Sequence, residues 1–280
     1  APTELRYGKN NQGPMSYVPK LPKENVNVSK RHPLLDLATL LGGALAILLG
    51  LYFLLGLAVD LTVDHLPADF EADHLAELRF PMETDPDDPF LDPTEDVLER
   101  LLDHADDMGY DFELAVAPGN DINAFALPGG GIVIMRALLS QAESENEVAM
   151  VLAHELGHFA HRDHLRGLGR GLVIASLSAL MFGDDTIGRV LGSTLNLAQL
   201  SYSRGQETAA DIYGLQLLNK AYGHVGGSTA FFERLLEKDI PGLAWATSHP
   251  LSRKRISTIQ AHIGQRGYAQ QATLPWPPLE

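Results

Sequence analysis

Two histidines four residues apart with a glutamate between them, His154-Glu155-Leu156-Gly157-His158, form an HExxH sequence. On a helix, positions i and i+4 lie one turn apart on the same face, so both imidazoles can reach a single ion. Glu155 lies beside them, placed to take a proton from water bound to that ion. It cannot be ligand and base at once, so a catalytic ion needs a third ligand from elsewhere and an open fourth position. The chain has no cysteine, which excludes thiolate sites, disulfides and cysteine nucleophiles. Any metal is therefore bound by His, Asp or Glu. The surrounding stretch VAMVLAHELGHFA is largely apolar, which predicts a core-packed helix in which buried His and Glu need a reason to be present.

Two residues compete for third ligand. His164 lies ten residues after His154, the offset used by metzincins, but that class turns the chain on a glycine where this sequence has His161. Glu207, in SYSRGQETAADIYGLQLL, has Asp211 one helical turn beyond it. One carboxylate can bind the metal while the other accepts from the distal nitrogen of a ligand histidine. Ala209 and Ala210 between them allow close helix packing. The expected set is therefore His154, His158 and Glu207 on a zinc ion, about one per chain, with Asp211 behind. His161 and His164 are expected on the solvent side at the end of the motif helix.

The elements that must position these groups read as mainly α with a small β-sheet, an α+β fold. Thr94 is expected to cap a helix through Met108, ended by Gly109. Phe112–Ala117, Ile122–Leu127 and Ile132–Met135 read as short strands, the last two joined by Pro128-Gly129-Gly130-Gly131. A helix is expected at 136–141. Ser144 and Glu147 form a capping box for the motif helix, which runs to about His161. Further helices are expected near 167–182, 187–200, 205–222, 228–238 and 252–263, with Gly223 and Gly264 as C-terminal caps.

Leu37–Val59 is twenty-three residues without a charge. At 1.5 Å per residue it spans roughly 34 Å, enough to cross a hydrocarbon core of about 30 Å. Residues 1–33 carry six Lys and Arg against two Glu, and Asp60 and Asp64 follow the stretch. The positive-inside rule then puts the N-terminal tail in the cytoplasm and the rest across a membrane, on the periplasmic side of the inner membrane in a bacterium. Residues 60–107 carry seventeen acids and two bases, which accounts for the whole net charge of -15. Such a field excludes nucleic acid as a partner, because phosphate recognition needs clustered Lys and Arg. The expected layout is a polar tail (1–33), a spanning helix (34–60), an acidic linker (61–92), the chemical domain (93–266) and a Pro-rich tail (267–280).

NAFALPGG (123–130), the capped HELGH segment (144–158), RGQETAAD (204–211) and SHPLSRKRI (248–256) together resemble the gluzincin metallopeptidases of family forty-eight, which includes HtpX, BepA and the CaaX prenyl proteases. The resemblance covers about residues 90–265. It implies a zinc endopeptidase acting on polypeptides, and roles that spacing alone does not assign. Asn123, Ala124 and Phe125 match the edge strand that receives substrate backbone. His249 matches a histidine near the metal that can stabilise the oxyanion, and Arg255 an arginine that supports the cleft. The single convincing span departs from members with several, and GLVIASLSALMF (171–182) is too short to cross. Quality control of unfolded or misassembled envelope proteins is the role that fits one anchor. The rival expectation is an assembly factor or chaperone in which His249 plugs the fourth zinc position.

Overall fold

The computed structural model describes residues 32–67, 70–71, 74–75, 85–182, 202–237, 248–249 and 252–277. The expected polar tail and the helix expected at 187–200 lie outside the described residues. The chain divides into two compact units, 1–47 and 48–280, and the described part of the first is the opening half of one helix.

That helix, α1, runs Pro33–Val63. Proline suits its first turn, where the missing N–H has no partner to lose. With a mean hydropathy of 2.3, it is the one described helix long and apolar enough to cross a membrane. Its leucines point outward, unlike those of a buried core helix.

The remaining described elements are mostly helical with one three-stranded sheet. Helix α2 (Leu91–Leu102) precedes strands β1 (Glu113–Ala117), β2 (Ala124–Leu127) and β3 (Gly131–Met135). The sheet order is β1-β3-β2, with β1 parallel and β2 antiparallel to β3. This leaves β2 at an edge, with Ala124 opposite Ile134 and Leu127 opposite Gly131. Then follow α3 (Arg136–Gln141), α4 (Glu145–Ala160), α5 (Asp163–Phe182), α6 (Arg204–Tyr222), α7 (Ala230–Glu237) and α8 (Arg253–Arg266).

Several boundaries differ from the sequence reading for local reasons. Helix α2 starts earlier, at Leu91, with Thr94 inside it donating its hydroxyl to the Phe90 carbonyl, and it stops at Leu102 rather than Met108. Gly109 takes a left-handed φ of 72° seven residues later, in a turn where its N–H donates to Asp107. Strand β2 begins at Ala124, not Ile122, because the Asn123 side chain folds back to accept from the Ala124 N–H. Ser144 caps α4, but Glu147 does not reciprocate on Ser144. Its carboxylate accepts from the Glu143 N–H and pairs with Arg234. The reciprocal capping box belongs instead to Ser203 and Gln206 at the start of α6. Gly223 ends α6 as expected, whereas Gly264 lies inside α8 and Gly267 (φ 67°) closes it.

Helix α4 is buried on nearly every side chain from Asn146 to Phe159, packed between the sheet and α6. The α4–α6 interface is the most extensive between any two of the described helices. It is also close enough to bring backbone against backbone. A Cβ on Gly157 would stand 2.9 Å from Ala210 Cα, and one on Gly214 would stand 3.0 Å from the His154 nitrogen. The Pro-rich stretch after α8 lies against this assembly, with Trp276 buried and donating to the Leu139 carbonyl.

Gly214→Ala therefore overpacks the contact behind His154 and should destabilise the protein by about 1–3 kcal/mol. Gly264→Ala, in an exposed helix interior with open space around it, should stabilise by up to about 1 kcal/mol. Urea unfolding of the two variants should move the midpoint in opposite directions. A midpoint unchanged by Gly214→Ala would mean that the helix contact is slack.

Candidate metal and catalytic site

His154 and His158 project from one face of α4 toward the first turns of α6, which present Glu207 and Asp211. The close approach of the two helices brings the four side chains into one buried cluster. His154 Nε2 and His158 Nε2 are 3.2 Å apart. Glu207 lies 3.7 Å from the first and 3.6 Å from the second. His249 enters from the segment before α8, its Nδ1 3.1 Å from both His154 Nε2 and Glu207 Oε1. One ligand atom from each of His154, His158, Glu207 and His249 falls within 4.8 Å of all the others.

Each α4 histidine is oriented from behind by an acid. Asp211 Oδ1 stands 3.1 Å from His154 Nδ1, and Asp163 Oδ2 stands 2.9 Å from His158 Nδ1. A carboxylate only accepts, so each of these Nδ1 atoms carries a proton and the Nε2 lone pairs face inward. Asp211 is itself gripped by Arg255, whose Nε and Nη2 donate to its two oxygens at 2.9 and 2.7 Å. The third guanidinium nitrogen pairs with Glu207 Oε2. Arg255 thus holds Asp211 and Glu207 one helical turn apart.

The donor set fits a metal ion. Two inward lone pairs at 3.2 Å and a carboxylate repel one another unless a cation or a proton stands among them. The titration behaviour expresses the same demand. Burial pushes the His154 and His249 imidazoles down. Burial also disfavours charge on His158, but bonds to Asp163 and Glu207 outweigh it and hold its pKa up at about 9. Burial would raise Glu207, yet His158 and His249 hold it far below the carboxylate range. A compact set of two imidazoles and one carboxylate, with a third imidazole in reach, suits zinc.

Glu155 behaves differently from its neighbours. It is wholly buried, and neither carboxylate oxygen has a hydrogen-bond partner of good geometry among the described residues. Burial raises its pKa, opposed by the nearby histidines and the backbone N–H of Ala126 on edge strand β2. His249 Nε2 is 3.7 Å from its Oε1. A carboxyl kept off the ligand set with its affinity for protons raised can accept and return a proton.

Of the other residues singled out in the sequence, Ala124 and Phe125 open β2, and Asn123 anchors the strand's start through Ser248, next to His249. His161 is exposed, as expected. His164 is not: it is buried, with Nε2 2.9 Å from Glu71 Oε2, and is no solvent-side residue. Glu71 also accepts from the Tyr110 hydroxyl and the Gly129 N–H. Burial would raise this carboxyl, but these donors hold it low.

Three residues of the site escaped the sequence reading. Asp163 follows the motif helix by one short turn and belongs to no recognised spacing. Gln206 donates to its second oxygen at 2.6 Å. Tyr202 lies face-on against the His158 ring, with centroids 3.8 Å and planes 15° apart, and its N–H donates to the Ser248 carbonyl. The only sequence signal for these was proximity to the Ser203 cap and to the end of α4.

Residues 93–263 match Peptidase family M48. Among curated proteins, the mitochondrial metalloendopeptidase OMA1 of Schizosaccharomyces pombe is 28% identical over 193 residues, 66% of this chain and 57% of that protein. The protein of the same name from Arabidopsis thaliana is 31% identical over 157 residues, 55% of this chain and 32% of its own length. The beta-barrel assembly-enhancing protease of Escherichia coli is 26% identical over 183 residues, 59% of this chain and 37% of that protein. The chain spans little more than half of the longest-matched of these relatives and about a third of the others.

Removing an orienting acid behind a metal-bound histidine typically costs about 10–100-fold in affinity. Asp163→Ala should weaken zinc binding by that much in competition with a chromophoric chelator, and Tyr202→Phe, which keeps the stacked ring, should not. Glu207→Ala should lose nearly all the zinc. Retained zinc there, with loss in His164→Ala, would move the third ligand to His164.

Proposed function

We propose that this chain, which belongs to peptidase family M48, is a membrane-anchored, zinc-dependent endopeptidase acting on unfolded or misassembled envelope polypeptides. Membership makes it a peptidase, a hydrolase of peptide bonds. The observation that carries the zinc reading is the convergence of His154, His158 and Glu207 around inward-facing lone pairs, with Glu155 buried beside them and bonded to none of them.

His154, His158 and Glu207 would hold the ion, with Asp211, Asp163 and Arg255 fixing their orientation. When bound, zinc supplies a Lewis acid that polarises the scissile carbonyl and makes water a better nucleophile near neutral pH. Glu155 takes a proton from the attacking water and returns it to the leaving amine, a role helped by the upward push of burial on its carboxyl. His249, between Glu207 and Glu155, is placed to donate to the oxygen that gains charge as the tetrahedral species forms. Strand β2, at the edge of the sheet among the described residues and near Glu155, can align an extended peptide by strand addition. Residues 93–266 form the peptidase domain of this reading, behind an acidic linker at 61–92.

The anchor reading rests on α1: thirty-one residues, apolar throughout its middle and exposed. We take it as a single span with the N-terminus cytoplasmic and the peptidase domain on the periplasmic or outer face, by the positive-inside rule. The name of the Escherichia coli relative, a beta-barrel assembly-enhancing protease, supports envelope proteins as the substrate class.

A second reading has one observation behind it. His249 Nδ1 lies as close to the ligand atoms as they lie to each other, so His249 is able to fill the fourth position and keep the site closed. The chain would then be a zinc-retaining assembly factor or chaperone with self-inhibited proteolysis.

Glu155→Gln should keep zinc and lose casein hydrolysis by about 10²–10⁴-fold, the usual worth of a general base. Normal cleavage by that zinc-loaded variant would defeat the mechanism. His249→Ala separates the two readings. A loss of about 10²–10³-fold marks an oxyanion donor, and faster cleavage marks a plug. For the anchor, reporters fused after residues 30 and 70 should report opposite sides of the membrane. The same side for both would remove the span.

A further inference from the structure

We propose that the apolar half of α5, residues 171–180, lies in the lipid beside α1, so that the chain meets the bilayer with a half-length second helix as well as with its anchor. The proposal rests on the reading of α1 as a spanning helix. Its occupant is the acyl region of the leaflet on the peptidase side.

The two helices cross in opposite directions through a run of paired groups. Arg162 donates to the carbonyls of Val63 and Leu66 at the end of α1. One turn further along α5, Arg166 pairs with Asp64 and Asp60. Another turn on, Arg170 donates to both oxygens of Asp60 at 2.9 and 2.8 Å. Each turn forward on α5 is thus about a turn back on α1. Between them Gly169 touches Val59 so closely that a Cβ there would stand 2.6 Å from a valine methyl. Past Arg170, α5 heads to the same side as the uncharged stretch of α1.

Charge stops at one level on both helices. On α1 the last acid before the apolar run is Asp60, and on α5 the last base is Arg170. These two are partners. Beyond Arg170, Gly171–Leu180 is ten residues without a charge, about 15 Å of helix, or about half of a hydrocarbon core. Ile174 and Leu180 are 52% and 79% exposed there, large for a water-facing surface, and Phe53, Leu54 and Leu57 are likewise exposed on the uncharged part of α1. A groove of about 290 Å³ opens at the crossing, lined by Tyr52, Phe53, Gly56 and Leu57 with Asp60 and Arg170 at its end. Apolar walls closed by an acid–base pair match a phospholipid, with the acyl chain against the aromatics and the headgroup at the ion pair. Even counted to its end at Phe182, the uncharged part of α5 is twelve residues, too few to span.

The absence of cysteine makes the test direct. Single cysteines at Leu54, Ile174, Leu180 and Ser257 of the full chain are labelled with an environment-sensitive fluorophore. Each is reconstituted in phosphatidylcholine–phosphatidylglycerol vesicles with and without brominated acyl chains. Labels at Ile174 and Leu180 should show blue-shifted emission and lose intensity to bromolipid about as much as the label at Leu54, while Ser257 on α8 stays unaffected. Quenching at Leu54 with α5 labels behaving like Ser257 overturns the proposal and leaves the anchor standing. A blue shift on α5 that bromolipid does not quench also overturns it, since protein would then cover the face. No quenching at Leu54 removes the anchor and the proposal together.

Discussion

Repulsion at the centre of the site is the constraint on which the rest of the structure depends. Two imidazole lone pairs and a carboxylate, wholly buried, are forced within a few ångströms of one another. Left to themselves these groups would separate or take up protons, since burial strengthens their mutual repulsion and removes the water that would screen it. The protein prevents separation by geometry. Gly157 and Gly214 let α4 and α6 approach until backbone meets backbone, and Arg255 pins Asp211 and Glu207 together at the start of α6. An apolar pair of helices would gain nothing from such an arrangement. A pair that holds a cation, as proposed for this chain, requires it.

The same geometry divides the acidic residues by role. Glu207 faces the centre, while Asp211 and Asp163 sit behind the histidines, where each fixes a tautomer and turns a lone pair inward. Glu155 is excluded from both groups, although it lies between the two histidines in sequence. Position on the helix decides this. One residue after His154, its side chain points about 100° around α4, toward β2 and away from α6. The sheet edge and the carboxylate that would act on a peptide laid along it are thereby neighbours.

Much of this was legible in the sequence because helical periodicity fixes angles. The spacing of His154 and His158, and of Glu207 and Asp211, places each pair on one face whatever the rest of the chain does. The capping serine at 144 and Gly223 similarly announce the ends of α4 and α6 by local chemistry. The misses have a common cause: each depends on a contact between segments distant in sequence. His164 read as a solvent-side histidine because nothing nearby marks Glu71, ninety-three residues earlier, as its partner. Asp163 and Tyr202 carry no local signal, because the histidine each one holds is visible only in three dimensions. Gly264 carries the same cap signal as Gly267, since the intrinsic freedom of the two is the same. Only the chain's exit at residue 267 tells them apart.

The two-residue turn between α4 and α5 ties these levels together. Arg162 is the only non-glycine among the described residues with a left-handed φ, 53°, a conformation that costs about 1 kcal/mol or more and persists where surrounding contacts fix it. Its guanidinium supplies those contacts by donating to the Val63 carbonyl, the last of α1, and to the Leu66 carbonyl just beyond it. The strained turn in turn sets the direction of the next residue, Asp163, whose carboxylate reaches back to His158. Adjacent residues therefore face opposite ways, one to the end of the apolar helix and one to His158. The ending of α1 and the orientation of His158 are thus determined by the same short turn. A glycine at 162 would adopt the angle without strain, but it would lose the side chain that connects the two.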